Sequence, residues 1–161
     1  MSKVGNQSVA ESTKSVAGVL VGRFDHNLDP KKRFTVPSEW RAILGNPDYI
    51  YVMPDRKERC LNLIPQAEME ARLAILQQKA LLDPALNRAY QTIGAMSELL
   101  PFDGQGRIRV SDKLLQFANL TTTVAMVGSV RMVKLWDPKA LAPAETIDQA
   151  ALDAALDEAG F

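Results

Sequence analysis

An α+β fold built from two equivalent halves is what this sequence predicts, on three observations. Leu28-Asp29-Pro30-Lys31-Lys32-Arg33-Phe34-Thr35-Val36 returns 74 positions later as Phe102-Asp103-Gly104-Gln105-Gly106-Arg107-Ile108-Arg109-Val110, each copy an apolar residue, Asp-x-x-x-Arg and then apolar-x-Val. The offset persists: Trp40 faces Leu114, Ile43 faces Phe117, Leu44 faces Ala118 and Gly45 faces Asn119. Gly and Asn are the residues that best tolerate a left-handed helix C-cap. After a short divergence the copies meet again, Ile50-Tyr51-Val52-Met53 matching Val124-Ala125-Met126-Val127. Beyond the turn, Cys60 to Ile64 matches Met132 to Trp136 at an offset of 72, so the first copy carries two extra turn residues among Pro54 to Arg59. A repeat of this kind marks the shared loop as the working part.

Each half reads as strand, tight loop, strand, short helix and hairpin. In Arg33 to Val36 and Arg107 to Val110 the apolar residues alternate, which puts Phe34 with Val36, and Ile108 with Val110, on one sheet face. Their charged neighbours, Arg109 included, face outward. After Pro37, Ser38 is positioned to cap a helix carrying Trp40, Ile43 and Leu44, and Ser111-Asp112 offers the equivalent start to Leu114, Phe117 and Ala118. Between the copies the period changes. Pro65 to Leu82 places Met69, Leu73 and Leu76 at helical spacing, and Asp83-Pro84 restarts a helix whose buried side carries Leu86, Tyr90, Ile93 and Met96. Residues 144 to 161 read as a helix with a weak apolar face. The expected organisation is a disordered N-terminal extension at 1–18, a first repeat at 19–65, a helical insert at 66–96, a second repeat at 97–141 and an acidic, helical tail at 142–161.

Composition bounds the function. The chain has 161 residues, 47% of them hydrophobic, enough for a real core. Its apolar stretches are too short to span a bilayer, and residues 1 to 18 lack the apolar core of an export signal. A single cysteine, Cys60, excludes an internal disulfide and suits a reducing cytoplasm. The net charge of zero hides an asymmetry: residues 1–136 carry 18 Lys and Arg against 13 acids, whereas residues 137–161 carry one Lys against six acids. A mildly basic body suits an anionic partner, and equally a solvated surface.

Several residues read as bland. His26, the only histidine, has no partner at metal-ligand spacing. Cys60 in an apolar strand is a small buried hydrophobe. Gly104-x-Gly106 is too short for a dinucleotide loop. No catalytic constellation is visible, so neither enzyme activity nor a cofactor is expected.

The repeated loop carries the chemistry. Asp29-Pro30 opens a turn, because Asp accepts bonds from backbone amides two residues on and Pro presets the next dihedral. Gly104 and Gly106 give the second loop a freedom the first lacks, so the two loops are expected to differ in shape. An exposed Asp–Arg pair contributes little stability. Alternatively, Asp29 orients Arg33, and Asp103 orients Arg107, so that a planar guanidinium fork meets guanine O6 and N7 or a phosphate. On the residues alone the two readings balance.

The stretch from Gly22-Arg23-Phe24-Asp25-His26-Asn27 through Leu28 to Pro37 resembles the opening of the MraZ family, bacterial regulators at the head of the division and cell-wall gene cluster. Asp103-Gly104-Gln105-Gly106-Arg107 is similar to that family's second Asp-x-x-Gly-Arg motif, and Val127-Gly128 and Leu135-Trp136-Asp137 fall where the family has a Gly turn and a terminal Trp. The resemblance covers residues 19 to about 141. It implies two AbrB-like repeats in a small pseudo-twofold β-barrel flanked by helices, assembled as a ring, commonly an octamer. Such rings bind double-stranded DNA at repeated G-rich boxes about one helical turn apart. Carried over, Asp29, Lys31 and Arg33 match the first DNA-binding loop, where Lys32 is expected to add a second phosphate contact beside Lys31, and Asp103 and Arg107 match the second. The implied protein is a cytoplasmic, nucleoid-associated repressor of that gene cluster, its own gene included. Lys32 stands where the family usually has Gly. If that position is left-handed a lysine there costs roughly 1–2 kcal/mol, which makes a rearranged turn the expectation. Val21 replaces a usual arginine, and Lys134 replaces a common acid.

Two other classes compete. A ring-forming assembly module would bind proteins through the acidic tail without touching DNA, and an enzyme would use the Asp and Arg pairs as an anion site. Lys-rich Pro-Lys-Lys against uncharged Gly-Gln-Gly favours the first loop for DNA and the second for assembly, with contact by both loops left open.

Overall fold

The computed structural model describes residues 18–144 and 146–161. The expected disorder of the N-terminal extension therefore falls, Gly18 apart, outside the described residues. β1 (Arg23–Asn27), a tight loop and β2 (Arg33–Thr35) lead to helix α1 (Ser38–Ile43) and the hairpin of β3 (Tyr49–Pro54) and β4 (Leu61–Ile64). Helix α2 (Gln66–Ala80), a 3₁₀ turn at Pro84–Leu86 and α3 (Asn87–Met96) follow. The pattern then returns as β5 (Glu98–Pro101), β6 (Arg107–Arg109), α4 (Asp112–Phe117), β7 (Thr123–Gly128) and β8 (Val133–Trp136), before α5 (Pro138–Ala144) and α6 (Gln149–Ala159).

Local chemistry accounts for most boundaries. Asp83 Oδ1 accepts from the Ala85 amide at 3.0 Å, starting the 3₁₀ turn with Pro at its first position. Ser111 Oγ caps α4 by accepting from the Leu114 amide. The expected Ser38 cap of α1 is not made: Pro37 is the N-cap residue, with no side-chain bond, and Ser38 is already helical. Proline's fixed φ substitutes for the cap by presetting helix entry. Gly45 and Asn119 both take positive φ, +84° and +54°, at equivalent helix ends. The two extra residues of the first hairpin are absorbed entirely in its turn, because Val52 pairs with Leu63 just as Met126 pairs with Leu135.

Six strands form an antiparallel sheet in the order β1-β7-β8-β4-β3-β5, while β2 and β6 pair with each other. Exchanging β1 to β4 for β5 to β8 reverses this order onto itself, so the sheet carries a pseudo-twofold axis between β4 and β8. The halves interleave across it: β1 pairs with β7 of the other half, and β5 with β3. A closed barrel is not formed. The sheet ends at β1 and β5, and the three-residue strands β2 and β6 spend their hydrogen bonds on one another instead of joining those edges.

The ribbon nevertheless seals the core. Phe34 and Val36, with Ile108 and Val110, are buried with Trp40, Ile50, Val52, Leu61 and Leu63 of the first half and Leu114, Val124, Met126, Val133 and Leu135 of the second. Each such side chain stabilises the fold by about 1.5–3 kcal/mol. Trp40 also stacks edge-on against Phe24, at 5.0 Å between ring centroids, and donates Nε1–H to the Val21 carbonyl at 2.9 Å. Alternation puts Ala125 and Trp136 on the opposite sheet face, where Cys60 and Leu141 of α5 complete a second cluster. Cys60 is fully buried there, and loss of hydration pushes its thiol up to about 11. Beside the sheet, Met69 on α2 is buried, and Leu73, Leu76, Leu86, Tyr90, Ile93 and Met96 are half-buried, the side the sequence assigns to packing. Helix α6 has a side-chain cap from Asp148 and a left-handed Gly160, but every one of its residues is exposed.

Candidate nucleic-acid interface

Each Asp-x-x-x-Arg segment folds as one local device, and both copies make the same bonds. Asp29 Oδ1 accepts from the amides of Lys31 (2.9 Å) and Arg33 (2.8 Å), while Oδ2 accepts from Arg33 Nε (2.7 Å). Asp103 Oδ1 accepts from the amides of Gln105 and Arg107 (both 2.9 Å), and Oδ2 from Arg107 Nε (2.7 Å). The backbone repeats as well. Asp29 N–H donates to the Arg33 carbonyl and Lys32 N–H to that of Asp29, as Asp103 does to Arg107 and Gly106 to Asp103.

The loops therefore share a shape, contrary to the expectation from their glycines. Only Gly106 uses glycine's freedom, at φ +75°, and its counterpart Lys32 adopts φ +61°. The left-handed lysine is real, but the turn around it is not rearranged. The Asp29 carboxylate, with three bonds to chain positions two and four residues on, over-determines the turn, and the strain at Lys32 is carried. A Cβ at Gly106 would also displace the guanidinium of Arg41, whose Nε donates to the Val36 carbonyl at 2.9 Å.

Bonds to the charged form hold both carboxyls down. The Arg33 amide, more than the opposing burial, lowers Asp29 below the ordinary 3.8, with the Arg33 side chain and the Lys31 amide adding to it. Asp103 is lowered to about 2, first by the Arg107 amide. Both aspartates thus stay ionised and grip their arginines through Nε, which restrains each guanidinium and leaves its terminal nitrogens outside that bond.

The ribbon brings these arginines together. Arg33 lies directly across from Arg109, and Thr35 across from Arg107. Because Phe34 and Ile108 point into the core, Arg33, Thr35, Arg107 and Arg109 line the outward face. The two loops, at opposite ends of the ribbon, flank this face. Lys31 is exposed beside it. Lys32 is turned away from it: its Nζ reaches Asp112 at the start of α4, at 2.8 Å across 80 residues, and this bond lowers the Asp112 carboxyl.

Of the six residues singled out from sequence, Asp29, Arg33, Asp103 and Arg107 thus form two matched clamps on one ribbon, Lys31 borders it and Lys32 is turned toward α4. Sequence reasoning missed the bond of Lys32 to Asp112 and the seating of Arg41 beside Gly106, which join residues far apart in the chain that no local pattern signals. It also left Arg109 among outward charges, although strand alternation already placed it on the ribbon face. His26 bonds the neighbouring Asn27 carbonyl at 2.7 Å, and among the described residues no group of three His, Cys, Asp or Glu is arranged to hold a metal. No described helix is long and apolar enough to cross a membrane.

No family model matches the chain. Individual proteins do. It is 35% identical over 128 residues to the transcriptional regulator MraZ of Rhodospirillum rubrum, covering 76% of this chain and 81% of that one. Identity to the transcriptional regulator MraZ of Caulobacter vibrioides is 32% over 124 residues, 76% and 79% of the two chains. For the transcriptional regulator MraZ of Mycolicibacterium gilvum it is 30% over 142 residues, covering 88% and 96%.

Proposed function

This chain belongs to the MraZ family of transcriptional regulators, and from that premise we propose that it is a sequence-specific DNA-binding repressor that lays its β2–β6 ribbon on duplex DNA. The observation that carries this reading is the pair of Asp-braced arginines, Arg33 and Arg107, on one outward ribbon face. The major groove admits a two-stranded ribbon, and a restrained guanidinium suits the bidentate acceptors of guanine. Lys31 contacts a phosphate. Lys32 reaches DNA only by releasing Asp112, so its share is smaller.

In this reading 19–65 and 97–141 are AbrB-like units, 66–96 is an insert packed beside them, 142–161 is an acidic tail, and the ribbon laid across the open sheet takes the place of a barrel seam. The protein is cytoplasmic and nucleoid-associated, without catalytic activity. It assembles as an octameric ring on repeated G-rich boxes ahead of the division and cell-wall genes, including its own gene. Leu81 and Leu82, 83% and 91% exposed at the tip of the helical insert, support such an assembly surface.

A gel-shift on the DNA upstream of its own gene, at two salt concentrations, tests the reading. Salt-sensitive, specific retardation is expected, since phosphate contacts release counterions. Arg33→Ala should weaken binding by about 1–3 kcal/mol per contacted site while the fold and the assembly persist. Unchanged affinity would remove Arg33 from the interface. No retardation at low salt would instead favour a protein-binding module acting through the exposed helix α6.

A further inference from the structure

Arg109 has no structural reason to be arginine. Its counterpart in the first half is Thr35, which occupies the same position on the same ribbon without a charge. Arg109 also stands directly across from Arg33, and like charges directly opposite on neighbouring strands oppose pairing. No carboxylate braces it as Asp29 braces Arg33 and Asp103 braces Arg107. Asp112 feels its charge, but that carboxylate is bonded to Lys32 at 2.8 Å. The side chain is exposed, and among the described residues it makes no hydrogen bond or ion pair.

Resting on the DNA-binding reading above, we infer that Arg109 is a third DNA-contacting arginine, and that it binds a backbone phosphate rather than a base edge. Each braced arginine has its charge balanced by its own aspartate and its guanidinium restrained, which suits reading a base edge. Arg109 is the reverse case. Its guanidinium is bonded to no carboxylate, the nearby Asp112 being taken by Lys32, and it is free to turn, which suits a phosphate, where charge matters more than orientation. A phosphate there would also lessen whatever repulsion between Arg109 and Arg33 the Asp29 carboxylate leaves.

The test compares wild type, Arg109→Ala, Arg109→Lys and Arg33→Ala on the duplex upstream of the chain's own gene and on a random-sequence duplex of equal length, over a salt series. Arg109→Ala should weaken binding to both duplexes by the same factor, about tenfold at low salt, and reduce the slope of log K against log salt by about one. Arg109→Lys, which keeps the charge, should retain most of the affinity on both. Wild-type affinity and slope for Arg109→Ala, with operator binding lost in Arg33→Ala, would overturn this inference and leave the DNA-binding reading intact. Loss confined to the operator duplex, unrescued by Lys, would overturn the phosphate assignment. A wild-type chain that retards neither duplex would overturn both readings together.

Discussion

Lys32 adopts φ +61°, a conformation in which a Cβ crowds the following carbonyl at a cost of roughly 1–2 kcal/mol, whereas its counterpart Gly106 occupies φ +75° freely. Its exposed bridge to Asp112 returns little, because solvent screens such pairs. Lys32→Gly is therefore expected to raise stability by about 1 kcal/mol, seen as a higher melting temperature, with little change in DNA affinity. A lower melting temperature would mean that the bridge outweighs the strain. Lys134 is a different case. It donates to Asp55 Oδ1 at 3.0 Å and to Asn62 Oδ1 at 3.1 Å, tying the first hairpin's turn to β8. Burial works against the Asp55 charge, yet bonds from the Lys57 and Glu58 amides, Lys134 and Asn62 hold its carboxyl well below the usual range. Lys134 is thus matched by the longer turn of the first hairpin, which supplies its partner.

The two clamp loops are elements whose order depends on an ionised aspartate. Asp103 binds its proton at about 2 in the folded chain, against the ordinary 3.8, so the folded loop favours the charged form. The stabilisation is therefore fully present above about pH 4 and disappears as pH falls through about 2. Asp29 is lowered in the same direction for the same cause. Protection of the Gln105 and Arg107 amides, taken relative to the intrinsic exchange rate at each pH, should be high at about pH 4 and fall toward about pH 2, and Asp103→Asn should remove that fall. Protection that stays constant across this window would show that the carboxylate does not order the loop. The same local chemistry explains why the loop was legible from sequence: all its partners lie within five consecutive residues, and Asp's preference for amides two positions on is intrinsic.

Interleaving makes the halves interdependent across the protein. β1 finds its partner only in β7, and β5 only in β3, while the ribbon needs one strand from each half. A monomeric fragment of residues 19–65 would keep the β3–β4 hairpin with an unpaired β1 and β2, and a lone hairpin is marginal in water. It should show no cooperative thermal transition as a monomer. Any folded form should be a dimer in which a true twofold replaces the pseudo-twofold, with a melting temperature that rises with concentration. A folded monomer of this fragment would contradict the interleaved topology.

The duplication, the helix ends at Gly45 and Asn119, the buried faces of Phe34 and Ile108, and both Asp–Arg clamps could be read from the chain alone, because each depends on neighbours a few residues away or on the constant offset. The strand pairing could not. Nothing local says that β2 joins β6 rather than the sheet edge; the small barrel was implied by the family resemblance, and an open sheet with a separate ribbon is found. The same holds for Lys32 against Asp112 and for Arg109 across from Arg33, contacts that join residues more than 70 positions apart. Such pairs form only once the buried apolar faces of the two halves have brought their strands together. Repetition and local turn chemistry therefore specified the clamps, whereas packing of one half through the other decided that both clamps, and an unbraced third arginine, share a single face.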